Sequence, residues 1–588
     1  MDKIIELEHV SFSYETEPDG AFALADIDLS IEEGALVGVI GPSGAGKSTL
    51  ASLISGAIPH HYTGRLFGST KVAGVDTCDA SLTDIARLVG SVLQDIDAQM
   101  VASVVEDELL FGLENFGVPR ERIEGRLTAA LDAVGIADLR EREIATLSGG
   151  QKQKVAIAAI LALAPRVIVM DEPTAALDPV SAREVFEVLK RARELGGMTI
   201  VIIEQMVALL AEFCERVIVL DEGRVALDGT PREVFSHADE LRRIGVDSPR
   251  ASRIANCLAA AGLTRGASSA LTAREAEALI TDILDGPVDG PVARRALDEP
   301  HRAGAPARRG IPDDAPAVVE VERASFSYGE GAASVTDLDL IVRRGEIRAI
   351  AGQNGAGKTT FTKLLNGLLK PESGRIRIAG LDTLDTPVSA LAAHVATLFQ
   401  NPDHQLCRDT VLEEIAFGLQ LQGIPAATAL ERAGAVAARF GLDPGAAPFS
   451  LSRGQRQMVA LASVAVLDPD LIILDEPTSG LDYRECMTVM GTVRERARAG
   501  AAVIMVCHDM EVVSDFADTL TVMAGGRILA TGPTHEVFAR EDLLAAARIS
   551  APDVPALAGR LAASHPAFAG VTEVSELVET VKELKSRA

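Results

Sequence analysis

Short, nearly uninterrupted apolar runs punctuate this sequence at matched places. They are Leu36-Val37-Gly38-Val39-Ile40 and Val167-Ile168-Val169-Met170 in the first half, and Ile347-Arg348-Ala349-Ile350-Ala351 and Leu471-Ile472-Ile473-Leu474 in the second. Short, bounded runs rich in β-branched residues predict strands buried on both faces, as in a parallel sheet. Each half instead opens on alternation of apolar and polar positions, which predicts a sheet with one covered face. Helix-rich stretches follow at Val101–Ala164 and Thr410–Leu467. The alternation of strands and helices predicts an α/β fold in each half: a mainly parallel sheet core with an antiparallel β part and an inserted helical subdomain. Apolar spacing at Ile254, Leu258 and Leu263 predicts a small helical appendage over Ser248–Leu284, and Ala551–Leu584 has a comparable shape. Gly286–Pro316, rich in Pro, Gly, Ala and Arg, has no period and predicts a flexible linker.

The two halves are one module written twice. Val10-Ser11-Phe12-Ser13-Tyr14 recurs as Ala324-Ser325-Phe326-Ser327-Tyr328, Phe111-Gly112-Leu113 as Phe417-Gly418-Leu419, and Asp171-Glu172-Pro173-Thr174 as Asp475-Glu476-Pro477-Thr478. The copies lie roughly 300 to 315 positions apart in unchanged order, which is a tandem duplication and not a short-period solenoid. The expected domains are modules at 1–242 and 317–543, appendages at 243–285 and 544–588, and the linker at 286–316.

Directly after the first strand of each core stands Gly41-Pro42-Ser43-Gly44-Ala45-Gly46-Lys47-Ser48-Thr49 or Gly352-Gln353-Asn354-Gly355-Ala356-Gly357-Lys358-Thr359-Thr360. Both fit the phosphate-binding loop, in which glycines curl the backbone so that its N–H groups face an anion at a helix start. Lys47 and Lys358 would reach the β- and γ-phosphates, and Ser48 and Thr359 would offer a hydroxyl to Mg²⁺.

Composition narrows the partners. The chain has 588 residues, 56 Lys plus Arg against 84 Asp plus Glu, and a net charge of −28. That length requires two or more domains, and that charge disfavours nucleic acid. No apolar run reaches the ~18 residues a membrane span needs; Val155–Met170 comes nearest and is broken by Pro165 and Arg166. The opening Met1-Asp2-Lys3-Ile4-Ile5-Glu6 lacks a signal-peptide pattern. Cysteines 78, 214, 257, 407, 486 and 507 show no paired spacing, which suits reduced thiols in a cytoplasmic protein. His60-His61 and His404 have no clustered carboxylates or cysteines beside them and are expected to be loop residues.

With these elements in order, the chain resembles the ATP-binding cassette (ABC) ATPases everywhere but in the linker and appendages. Asp171 and Asp475 end buried strands, where a carboxylate can hold Mg²⁺, and Glu172 and Glu476 follow as candidate general bases. Leu147-Ser148-Gly149-Gly150-Gln151 and Leu451-Ser452-Arg453-Gly454-Gln455 resemble the family signature, which serves the nucleotide of the opposite module. The resemblance further implies a Mg²⁺- and water-sensing role for Gln94 and Gln400, inter-site communication at Asp178 and Asp482, and adenine stacking on Tyr14 and Tyr328. It makes His508 the residue that contacts the γ-phosphate. The first-half counterpart is Gln205, which can donate a hydrogen bond but cannot carry an imidazole's positive charge.

Head-to-tail pairing of the modules, as in the family, would build site one from Gly41–Thr49, Glu172 and Gln205, closed by the second signature. Site two would use Gly352–Thr360, Glu476 and His508, closed by the first. Both departures, Gln205 and Arg453, fall on site one, so site two is expected to hydrolyse ATP faster.

Gln94-Asp95-Ile96-Asp97-Ala98-Gln99 and Gln400-Asn401-Pro402-Asp403-His404-Gln405 resemble the Q-N-P-D-x-Q stretch of ATPases from energy-coupling factor (ECF) transporters, the cobalt, nickel and vitamin importers. In that family the segment lines a groove for coupling helices, whose arginines meet acids such as Asp97 and Asp403. The implied partners are an integral membrane scaffold (T-type) subunit and a substrate-binding membrane component. The implied location is peripheral, on the cytoplasmic face of the membrane. Rival readings are an ATPase of another ABC transporter class and a soluble ribosome-associated tandem ABC protein. The latter would favour a charged helical arm and a basic face.

Overall fold

The computed structural model describes residues 2–15, 21–93, 96–174, 177, 179–264, 269–286, 312, 314–329 and 334–587. The linker expected at 286–316 lies almost wholly outside them. The chain forms two compact units: Met1–Asn256 with Ala267–Ala276, and Cys257–Gly266 with Glu277–Ala588.

In the first unit a six-stranded sheet runs in the order Arg224–Gly229, Arg216–Asp221, Leu36–Ile40, Thr199–Ile203, Val167–Asp171, Val89–Val92. All neighbours are parallel except the Arg224–Gly229 edge, which turns back on its partner. The apolar run Leu36–Ile40 is buried on both faces. Leu36 and Ile40 pack with the helices Val105–Asn115, Arg120–Val134 and Gly149–Leu163. Val37 and Val39 face the other way, into the core shared with an antiparallel sheet ordered Leu24–Glu32, Lys3–Tyr14, Gly64–Val72, Val75–Asp76. One sheet thus separates two cores, which is why its strands lack alternation.

The second unit repeats this design. Its six strands run Val395–Leu398, Leu471–Asp475, Ala502–Val506, Ile347–Ala351, Thr519–Ala524, Arg527–Pro533, beside an antiparallel sheet of four. Its helical subdomain comprises Val411–Leu421, Ala426–Arg439 and Arg453–Ala465. The polar intruder in its first core strand, Arg348, is buried and paired: Nε donates to Glu346 Oε1 at 2.8 Å, and Glu346 Oε2 accepts from the Arg343 N–H at 2.8 Å. Only such pairing makes a buried guanidinium tolerable.

In the repeated Phe-Gly-Leu, a methyl on Gly112 would meet Leu163 at an ordinary contact distance of 3.4 Å and one on Gly418 would meet Leu467 at a tighter 3.2 Å, so each glycine faces the segment that ends the signature helix. Both appendages are helical, at Arg250–Ala260 with Ala273–Asp285, and at Asp553–Ala562 with Val574–Arg587. Within the second unit, Lys585 Nζ donates to the carbonyls of Leu284, at 3.3 Å, and Gly286, a cationic cap on a helix C-terminus. Arg560 Nε donates to Glu277 Oε2 at 2.6 Å.

Candidate functional site

Each phosphate-loop sequence leaves its core strand and enters a helix, Lys47–Ile54 or Lys358–Leu365. Gly46 (φ 95°) and Gly357 (φ 97°) cap those helices in the left-handed region. A side chain on Gly46 would come 2.5 Å from the Ala23 carbonyl, and one on Gly357 2.7 Å from Val335, so only glycine fits. The lysines fold back over the loops. Lys47 Nζ donates to the Gly41 and Pro42 carbonyls, both at 2.8 Å, and Lys358 Nζ to those of Gly352 at 2.6 Å and Gln353 at 3.1 Å.

Asp171 and Asp475 sit at their strand ends beneath these lysines. Burial pushes the Asp171 carboxyl up, against a hydrogen bond from Ser48 and the Lys47 charge, while neighbouring Glu172 reinforces the rise. Burial and the charge of Glu476 raise Asp475 to about 6, against the pull of Lys358 and His508. A cation would relieve both carboxyls, and the hydroxyl and carboxylate oxygens of Ser48 with Asp171 and of Thr359 with Asp475 are the hard donors Mg²⁺ takes.

The candidate bases stand next, in left-handed backbone conformations (Glu172 φ 48°, Glu476 φ 51°) rare for a glutamate. Their amides are fixed by Ile203 O and Val506 O, each at 2.9 Å. In the second unit Glu476 receives two partners: His508 Nε2 lies 3.0 Å from Oε1, and Gln400 Nε2 donates to Oε2 at 3.0 Å. Burial would raise Glu476, but His508, Lys358 and Gln400 outweigh it and hold the carboxyl below its ordinary range. In the first unit Gln205 Nε2 donates to Glu172 Oε1 at 2.6 Å. Gln94 and Asp178 lie outside the described residues. Asp482 caps the helix Tyr483–Arg498, its Oδ1 accepting from the Glu485 N–H at 2.8 Å.

The two signatures start helices through a local device. Ser148 Oγ accepts from the Gln151 N–H at 3.3 Å while Gln151 Oε1 accepts from the Ser148 N–H at 3.0 Å; Ser452 and Gln455 repeat this at 3.2 and 3.0 Å. This reciprocal box explains the serine and glutamine spacing and leaves each serine O–H free to donate elsewhere. Arg453 occupies the first helical position, and its stem lies 4.0 Å from where a Gly480 methyl would stand.

The aromatic positions differ between units. Tyr14 packs edge-on against Phe12 and Tyr62 (centroids 4.8 and 6.2 Å), and its hydroxyl lies 3.1 Å from Thr49 Oγ1. Tyr328 has an edge contact with Phe326 at 5.0 Å and is half exposed. Tyr62 was not legible as part of this cluster, since its segment has no matching counterpart in the second half.

In the Q-N-P-D-x-Q segments, the last glutamine closes the turn: Leu93 N–H donates to Gln99 Oε1 at 2.9 Å and Phe399 N–H to Gln405 Oε1 at 3.2 Å. The acids already have cationic neighbours. Asp97 lies 2.6 Å from Lys152 Nζ and Asp403 3.0 Å from Arg456, the residue following each signature glutamine. Sequence reasoning also missed Glu108 and Glu414, which are buried and accept two backbone N–H bonds each from the loop before their own helix. Their matched register in the two halves was the available signal. His60 Nε2 lies 2.8 Å from the Thr77 carbonyl. The one metal-like group among the described residues, exposed His9, Asp26 and Asp28, has Arg323, Asp337 and Asp339 at the same bulge in the second unit.

Two phosphate-loop cores, each with a carboxylate pair and a signature-capped helix, define a tandem P-loop ATPase. The family model described as ABC transporter matches residues 24–175 and 335–479. An ABC transporter ATP-binding protein of Caldanaerobacter subterraneus subsp. tengcongensis is 34% identical over 95% of this chain and 96% of its own length. The chain therefore belongs to the ABC transporter family, as a tandem ATP-binding protein and ATPase. YkoD of Bacillus subtilis (strain 168), named for HMP/thiamine import, is 34% identical over 92% of this chain and 93% of its own length. A solved structure of an archaeal ribosome recycling factor, aABCE1, covers 90% of this chain and 91% of its own with a TM-score of 0.57, at 20% identity, a likeness of fold alone. Among the described residues no helix is long and apolar enough to cross a membrane.

Proposed function

We propose that this chain is the ATP-driven motor of an ECF-type importer for a micronutrient: a vitamin, a vitamin precursor or a transition-metal ion. The observation that carries this reading is the duplicated Q-segment. In each unit a turn closed by its own glutamine (Gln99, Gln405) presents an acid, Asp97 or Asp403, beside exposed apolar side chains. Leu93 and Val101 are exposed within a few residues of the first acid in the chain, and Phe399 of the second. Exposed apolar side chains with an acid in the same segment suit a basic, apolar helix of a membrane scaffold subunit. The name of YkoD, a relative matched over nearly its full length, supports import of a small nutrient.

In this reading Ser48 with Asp171, and Thr359 with Asp475 and Gln400, would hold Mg²⁺, with Gln94 as the expected sensor in the first module. The ion would neutralise charge on the phosphates. Glu172 and Glu476 then take a proton from the attacking water. Gln205 and His508 hold those carboxylates in place. Head-to-tail closure of the modules, with Arg453 in the signature serving site one, makes site two the faster. ATP-linked opening and closing drives transport because the docked helices contact the two states differently.

The test is affinity isolation of the intact chain from detergent-solubilised native membranes, followed by partner and small-molecule identification. Co-isolation of a polytopic scaffold and a small substrate-binding membrane protein is expected. Recovery with ribosomes, or without any membrane protein, would overturn the proposal.

A further inference from the structure

The two units differ beneath the residue that faces the candidate base. In the second, Cys507 precedes His508, is buried, and its thiol contacts the Asp509 carbonyl at 3.5 Å. The loop is fixed from outside, where Asp509 Oδ1 accepts from the Glu511 N–H at 2.9 Å and the Val512 N–H at 3.2 Å. In the first unit the corresponding positions are Glu204, Gln205 and Met206, and Met206 provides no side-chain cap. The acid has moved inside. Glu204 is 3% exposed, and its Oε1 accepts from the Gln205 N–H at 2.8 Å and the Met206 N–H at 3.2 Å. Its Oε2 accepts from the hydroxyl of Thr174, the residue two beyond Glu172. Gln205 itself is exposed. Its carbonyl accepts from the Val207 N–H at 2.9 Å, its amide N–H rests on Glu204, and its Nε2 donates to Glu172 at 2.6 Å.

A buried carboxyl costs free energy unless its oxygens are engaged, and here both are. An apolar residue would fill this place at lower cost, as Cys507 does in the other unit. We propose that Glu204 is a positioning residue of the first nucleotide site. Its carboxylate clamps the Gln205 backbone and the Thr174 hydroxyl, so that the Gln205 amide stays on Glu172. The clamp fixes the position of Gln205 but supplies none of the positive charge that an imidazole such as His508 can carry in the second site.

The inference rests on the reading that Glu172 activates water. It is tested in the full-length chain with the second site silenced by Glu476→Gln, following slow steady-state phosphate release. Glu204→Ala and Glu204→Cys are each expected to lower the residual kcat about tenfold, the loss of a buried hydrogen-bonded anchor, with KM changed less than about twofold. Glu204→Gln is expected to keep more than about half of the rate, because its amide oxygen still accepts both N–H groups. In a Gln205→Ala background, Glu204→Cys should cost nothing further, whereas a merely structural role would add its loss to that of Gln205→Ala. Unchanged kcat in Glu204→Cys, or additive losses, would overturn the positioning role. Glu172→Gln separates the two readings. If it leaves the residual rate intact, the assignment of Glu172 fails; if it removes the rate while Glu204→Cys does not, the clamp alone fails.

Discussion

The two candidate sites share a scaffold and differ in what surrounds the base. Glu476 is gripped from both oxygens, by His508 and Gln400 at 3.0 Å each, and its carboxyl is held below its ordinary range. Glu172 receives Gln205 at 2.6 Å, and Glu204 nearby is buried with its own titration pushed up by burial and by the charge of Glu172. An imidazole can carry positive charge to a developing anion, and an amide cannot. Duplication preserved the backbone that presents the base, down to the left-handed conformation at Glu172 and Glu476. The electrostatics around it diverged.

The largest expected effect breaks or keeps this asymmetry directly. Glu476→Gln should lower ATP turnover by about 100-fold or more, and Glu172→Gln by no more than about threefold. Equal losses in the two variants would make the sites equivalent. A smaller effect sharpens the second site. Asp475 titrates at about 6 in the folded protein, above the ordinary carboxyl range, because burial and Glu476 disfavour its charge. The folded state therefore binds more protons than the unfolded state between roughly pH 4 and 6, and this group's contribution to stability falls as pH rises through that window. Asp475→Asn removes the penalty. It should stabilise the second unit by about 2–3 kcal/mol at pH 8 and by nothing near pH 4, while abolishing its ATP turnover. Thermal unfolding at both pH values in metal-free buffer measures this; a gain of equal size at both would assign the effect to packing.

Much of this was legible in sequence, and the boundary has a physical cause. The apolar runs Leu36–Ile40 and Leu471–Leu474 announced doubly covered strands because burial on both faces removes alternation. The phosphate loops were legible because glycines at positions such as Gly46 and Gly357 meet a steric demand no other residue satisfies. Illegible features depend on partners distant in sequence. Nothing near Glu204 in the chain announces that Thr174 donates to it. Arg348 interrupts a strand pattern, and the Glu346 that pairs with it is itself held by the hydroxyl of Thr519 on a strand far along the chain. Asp97 read as a free acid awaiting a partner's arginine, and its cation, Lys152, stands on another helix.

That last pair yields the smallest and most discriminating prediction. Asp97 is 75% exposed and Lys152 21%; Asp403 is 42% and Arg456 23%. Exposed pairs of this kind contribute roughly 0–1 kcal/mol, so Lys152→Ala and Arg456→Ala should shift thermal unfolding little, the more enclosed second pair the more. A contact so weak can exchange one cation for another without loss of fold. If an arginine of a membrane scaffold meets Asp97, Lys152 competes with it, and Lys152→Ala should tighten association with that scaffold about two- to fivefold, an advantage that added salt erases. Weaker association in Lys152→Ala would mean that the lysine itself touches the partner, and that the Q-segment acid serves the signature helix alone. Because Lys152 and Arg456 each follow a signature glutamine, the first outcome would tie occupancy of the groove to the helix that carries the signature in the same module.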